Sequence, residues 1–151
     1  MNIITNLDPN EILPGVWLGN SYNARNWQDL ERLGIRSVLN VAWDLDYKVS
    51  PNVFPVKVGL FDGPGNRYAA FSLAVKTLEE LIKMGSVMIH CHEGVSRSPT
   101  ILATYMVKNG LAKNLDAAFN FIAEKRPQIN PKKVMMELAK DYLDYKERKD
   151  I

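Results

Sequence analysis

The stretch Val87-Met88-Ile89-His90-Cys91-His92-Glu93-Gly94-Val95-Ser96-Arg97-Ser98-Pro99 constrains the chain more than any other. A short apolar run leads into a polar turn, and an arginine then opens a second apolar segment. This pattern predicts a buried strand, a tight loop and the N-terminus of a helix. The first N–H groups of a helix have no intrahelical acceptor. With the helix dipole they make an anion site. Cys91, the chain's only cysteine, lies at the bottom of that loop.

The chemistry follows from the loop. Residues 91–97 can curl around one tetrahedral anion, with peptide N–H groups turned inward. His92, Glu93, Gly94, Val95, Ser96 and Arg97 are the expected phosphate-binding set. Arg97 adds a planar fork that suits two phosphate oxygens. Gly94 gives backbone freedom where the curl is tightest. His92 and Glu93 are expected to offer backbone N–H groups, with their side chains at the rim. In such a positive cradle a thiolate is favoured over a thiol, so Cys91 becomes a nucleophile beneath an electrophilic phosphorus. Ser98 can donate a hydrogen bond to the sulfur and help it leave. The loop neutralises transition-state charge by itself, so neither a metal nor a cofactor is expected.

The rest of the chain alternates strands and helices before turning wholly helical. Residues 12–19 read as one short edge strand holding a Pro-Gly turn, and residues 21–33 as a helix that Ser21 or Asn26 can cap, stopped by Gly34. Strands follow at 37–42, 53–60 and 86–90, with a loop at 43–51 and a strong turn at 62–66. Helices are expected at 67–84, 97–109, from Asn114 or Asp116 to 125, and from Pro131 to 146, with 126–131 a loop. This is an α/β pattern: a central, mostly parallel sheet of four to five strands flanked by helices. The phosphate-binding loop lies between a strand end and a helix N-terminus, where such sheets bind ligands. Asn40, polar inside an apolar strand, either braces that loop or is a strand-end turn residue.

Composition narrows the function classes. The chain has 151 residues, enough for one domain, and no internal repeat. A net charge of +2 is too small to argue for nucleic acid or a membrane surface. No apolar run approaches the ~20 residues that span a bilayer. The first six residues show no signal-peptide pattern. One cysteine cannot close an internal disulfide, so a reducing cytoplasm is the expected setting. A monomer is expected.

The run His90-Cys91-x5-Arg97-Ser98 resembles the HCxxGxxR[ST] signature of the cysteine-dependent protein tyrosine phosphatases, and specifically the small dual-specificity group. Other stretches resemble that group in the same order: Leu18-Gly19, Gly34 to Val41, Ala103-Thr104-Tyr105-Met106, and Arg126-Pro127-x-Ile129-x-Pro131. The resemblance covers roughly residues 11–145, so one catalytic domain over 1–151 is expected. It implies hydrolysis of phosphotyrosine and phosphoserine/phosphothreonine proteins through a phosphocysteine at Cys91. It also implies an aspartate acid and base about thirty residues earlier, which Asp62 matches; Asp44 and Asp46 are the fallbacks. His90 would orient the cysteine backbone. The group often continues after the last motif with Asn, Gly-Phe and Gln-Leu, whereas here the run is Lys132-Lys133-Val134-Met135-Met136-Glu137-Leu138. The same mechanism on a non-protein phosphate, or an inactive phosphoprotein-binding module, are the alternatives.

Overall fold

The structure, a computed structural model, describes residues 9–149, with side chains to 145. Residues 1–6, where no signal segment is expected, lie outside this range. The described chain holds strands β1 (Asn10–Leu13), β2 (Val16–Gly19), β3 (Ser37–Ala42), β4 (Phe54–Leu60) and β5 (Val87–His90). Its helices are α1 (Ser21–Arg25), α2 (Trp27–Arg32), α3 (Tyr68–Met84), α4 (Arg97–Lys108), α5 (Leu115–Lys125) and α6 (Lys133–Lys149).

The strands form one five-stranded sheet in the order β1-β2-β5-β3-β4. All pairings are parallel except β1 with β2. The expected α/β sheet is therefore present, with one antiparallel edge. The expected single strand over 12–19 is instead a hairpin. Gly15, at φ +76°, turns the chain through Pro14-Gly15, and Glu11 Oε2 accepts the Gly15 N–H at 2.8 Å. Of the hairpin's two strands β1 is at the sheet edge, and β2 lies inside the sheet against β5.

The sheet divides two apolar layers. On β3 and β5 successive side chains face opposite sides, as the pleat requires. Leu39, Val41, Val87 and Ile89 pack with the larger cluster, which holds Phe71, Leu78, Ile101, Leu102, Ile122 and Tyr142 of the four long helices. Val38 and Met88 pack with Ala24, Leu30 and Ile35 on the other side. Every residue of β3 and β5 is buried, which is why both read as nearly unbroken apolar runs.

The expected helix over 21–33 is two short helices. Asn20 and Asn23 form a reciprocal capping box on α1, and Asn26 ends α1 while its side chain caps α2 through the Asp29 N–H. At the other end α6 begins at Lys133 rather than at Pro131. The Lys132 N–H there is held by Ser96 Oγ at 3.0 Å, so residues 131–132 serve the Cys91 loop before the helix starts.

Candidate active site

β5 ends at His90, and the chain turns at once into the loop that α4 closes. Parallel register places His90 between Gly19 of β2 and Asn40 of β3. Cys91 is thereby delivered to the carboxyl edge of the sheet, buried at 3% exposure.

The loop's carbonyls are all taken from outside. Cys91 O bonds His90 Nδ1 at 3.1 Å, and His92 O accepts the Ser21 N–H at 2.8 Å. Glu93 O and Gly94 O accept Arg126 Nη2 and Nε at 3.0 and 2.9 Å. Val95 O accepts the Asn130 N–H at 2.7 Å. In a trans peptide the C=O and the next N–H point opposite ways. Carbonyls of 91–95 held outward therefore turn the N–H groups of 92–96 inward, around Cys91. Ser96 is the N-cap of α4 and makes no side-chain cap bond, so the helix end stays open to an anion.

Gly94 makes the curl possible. Its φ is +71°, and a Cβ there would collide with Gly19 O and Arg126 Nη2. The Leu18-Gly19 pair thus matters as the wall against which the loop is folded. Ser98 Oγ lies 3.2 Å from Cys91 Sγ, where its hydroxyl can donate to a thiolate. Glu93 is exposed and His92 half-exposed, both at the rim.

Arg97 is 5% exposed. Its Nη1 donates to Leu60 O at 3.0 Å and to Asp44 Oδ1 at 3.1 Å. Nη1 carries two hydrogens, so both are used, and the Nε–Nη2 edge remains to meet two phosphate oxygens. Asp44 also reaches His92 Nε2 at 3.3 Å. Desolvation works to raise the Asp44 pKa, but the Arg97 hydrogen bond, its own backbone N–H and the nearby positive charges hold it below the usual carboxylate value. Such a carboxyl is a better anchor than an acid. Asp46 is tied elsewhere, to Lys57 Nζ at 2.8 Å.

Asp62 follows β4 in a loop stapled by Asn66, whose amide bonds Phe61 N–H and Phe61 O, both at 2.8 Å. Asp62 Oδ2 lies 3.3 Å from Lys132 Nζ, and its Oδ1 is buried with no hydrogen-bond partner among the described residues. Since the Lys132 N–H is held by Ser96, this ion pair links the Asp62 loop to the Cys91 loop.

His90 is fully buried. Cys91 O can only accept, so Nδ1 carries the hydrogen, and Nε2 accepts from the Tyr47 hydroxyl at 2.7 Å. Burial pushes the His90 pKa down to about 4, against the Cys91 carbonyl, which raises it. The imidazole is neutral at ordinary pH. Burial likewise pushes Tyr47 up to about 12.

The expected bond from Asn40 to the Cys91 loop is not made. Asn40 Nδ2 donates to Leu45 O at 2.8 Å and Oδ1 accepts the Ala42 N–H at 2.9 Å. Its amide folds back on the turn that follows its own strand, which is the turn that presents Asp44. Asn40 thus reaches the site through Asp44 and Arg97. Lys57 Nζ holds the same turn through Trp43 O and Leu45 O at 2.9 and 3.0 Å.

Sequence pattern did not single out Arg126, Tyr47 or Asn66. Arg126 is fully buried and also bonds Asn10 Oδ1 at 2.6 Å. The signal for Arg126 was the Arg-Pro-x-Ile-x-Pro run, and Asn66 closes the turn expected at 62–66; Tyr47 sits in a polar loop with no pattern of its own. Among the described residues, no group of His, Cys, Asp and Glu side chains is arranged to hold a metal.

Comparison with known proteins gives a consistent answer. Residues 16–142 match the model of the dual specificity phosphatase catalytic domain. A probable rhodanese domain-containing dual specificity protein phosphatase of Dictyostelium discoideum is 36% identical over 140 residues, covering 90% of this chain and 29% of that protein. Human protein phosphatase Slingshot homolog 2 is 31% identical over 137 residues, covering 89% of this chain and 10% of that protein. The chain thus spans less than a third of either curated relative. Among solved structures, a mouse putative dual specificity phosphatase complexed with zinc tungstate superposes with a TM-score of 0.85 at 22% identity, over 99% of this chain and 95% of that one. At that identity the likeness concerns the fold.

Proposed function

The chain belongs to the dual specificity phosphatase family, and on that premise we propose that it hydrolyses phosphomonoesters on phosphotyrosine and phosphoserine/phosphothreonine proteins. The observation that carries this reading is the ring of inward N–H groups around Cys91, closed by the free edge of Arg97. A tetrahedral, doubly charged group is what such a ring complements.

The steps use this chain's own side chains. The Cys91 thiolate attacks phosphorus, the S–P bond forms, and the P–O bond to the leaving group breaks. Asp62 gives its proton to the departing oxygen. Water then attacks phosphorus, Asp62 takes a proton from it, and the S–P bond breaks to return the thiolate and inorganic phosphate. Ser98 Oγ, 3.2 Å from the sulfur, stabilises the departing thiolate. Arg97 and the loop N–H groups hold the equatorial oxygens in both steps. His90 fixes the Cys91 carbonyl outward.

The catalytic domain, matched over residues 16–142, is proposed to act as a monomer. A reducing cytoplasmic setting suits its lone reactive thiol; no described helix is long and apolar enough to cross a membrane. The test is hydrolysis of p-nitrophenyl phosphate, followed by phosphotyrosine and phosphothreonine peptides, phosphoinositides and nucleotides side by side. Turnover of both peptide classes, abolished in Cys91→Ser, is the expected result. Turnover confined to non-protein phosphates would redirect the substrate assignment, and none at all would sink the proposal.

A further inference from the structure

We propose that Lys132 selects substrates carrying a second anionic group beside the scissile phosphate, taken to be a phosphopeptide with an acidic neighbour. The inference rests on the phosphatase reading above. Lys132 is fixed at the mouth of the site by its backbone, whose N–H donates to Ser96 Oγ of the phosphate loop at 3.0 Å. Its side chain spans to the Asp62 loop, with Nζ donating to Asp62 O at 3.0 Å and lying 3.3 Å from Asp62 Oδ2.

The Lys132 carbonyl accepts the Met135 and Met136 N–H groups at 2.9 and 3.1 Å, but its side-chain charge does nothing for the helix that follows. Lys132 and Lys133 stand at the start of α6, which has no acidic residue in its first turn. A cation at a helix N-terminus opposes the helix dipole. The charge is therefore set toward the site. The side chain is 58% exposed, so its ammonium is open to a ligand, while Asp62 is 29% exposed beneath it.

The ion pair changes during the reaction. Asp62 acts as an acid only when it is neutral. In that state the ammonium keeps its hydrogen bond to Asp62 O but loses its countercharge. A carboxylate or second phosphate next to the phosphorylated residue restores it. Substrates with such a group balance the Lys132 charge; substrates without one leave an uncompensated cation at the rim.

The experiment compares phosphotyrosine peptides that differ only in Ala or Glu beside the phosphorylated residue, with p-nitrophenyl phosphate as a substrate lacking a second anion. The Glu peptide is expected to have kcat/KM roughly 3- to 5-fold higher at low ionic strength, the scale of a partly exposed ion pair. That preference should shrink at about 0.5 M salt, where screening is short-ranged. Lys132→Met should bring the two peptides to equal kcat/KM, and Lys132→Arg should keep the preference. A purely structural Lys132 would change all substrates alike. An unchanged ratio in Lys132→Met, or no preference in a wild-type enzyme that hydrolyses p-nitrophenyl phosphate, overturns the inference. Failure of every substrate overturns the phosphatase reading, and this inference with it.

Discussion

Asp44 holds Arg97 from behind. The Asp44 Oδ1 to Arg97 Nη1 bond, at 3.1 Å, and the neighbouring bond to Leu60 O use both hydrogens of that nitrogen, so the guanidinium presents its other edge to the loop. A carboxylate in this position fixes the plane of the Arg97 fork. It does so from a turn clamped by Asn40 and Lys57.

Replacing Asp44 by Ala is therefore expected to lower kcat/KM about tenfold, chiefly through KM, because misorienting a binding group costs rate without removing chemistry. Asn40→Ala should reproduce part of the effect from a distance. A loss of kcat alone, with KM unchanged, would show that Asp44 is not an anchor for Arg97.

Asp62 carries the opposite expectation. Asp62→Asn keeps the shape of the loop, which Asn66 staples independently, but removes the proton. Turnover is expected to fall about 100-fold or more, with KM little changed and the bell shape of the pH–rate profile lost. Near-normal turnover with an unaltered profile would move the acid role elsewhere.

His90 makes folding stability depend on pH. The folded site holds the imidazole neutral, with a pKa of about 4. The unfolded chain binds the proton near the ordinary value of about 6.5. Between those values the unfolded state binds more protons, so stability is full above about pH 6.5 and falls as pH drops toward 4. The gap amounts to about 3 kcal/mol. Denaturant titrations at pH 7 and pH 4.5 should show most of this loss in the wild type and a shallower slope in His90→Asn. Equal slopes in the two proteins would count against the buried neutral imidazole.

Arg126 braces the phosphate loop through the Glu93 and Gly94 carbonyls. Arg126→Met fills similar volume but leaves those oxygens without their donor. Bonds to a charged donor contribute about 1.5–3 kcal/mol each when buried, so a destabilisation on the order of 3 kcal/mol is expected. Loss of activity should exceed what unfolding explains, because freed carbonyls can turn inward against the phosphate. Thermal melting measured alongside activity separates the two, and a variant as stable and active as wild type would remove Arg126 from the site.

The anion cradle around Cys91 and most of the element order were legible in the sequence alone. A nucleophile, a curl around glycine, an arginine and a helix start are local features, and locality is what a linear pattern can carry. The buried runs of β3 and β5 and the stripes of α3 to α5 were legible for the same reason: burial on both faces, or on one, writes a period into the chain. Even so, a Pro-Gly turn inside 12–19 concealed a hairpin, and Asn26 broke an expected helix in two, since either choice satisfies the same local preferences.

Only the tertiary structure decided what holds the loop's carbonyls outward. Arg126 lies 32 residues from Gly94 and meets it because α5 ends beside β1 and the loop. Tyr47 reaches His90 across 43 positions, and Asp44 reaches Arg97 across 53. Each of these contacts has one end in a loop that carries no periodic pattern. A hydrogen bond from such a loop to a strand end or a helix start leaves no periodicity in either segment, and only parallel register, which sets β3 beside β5, brings their ends together.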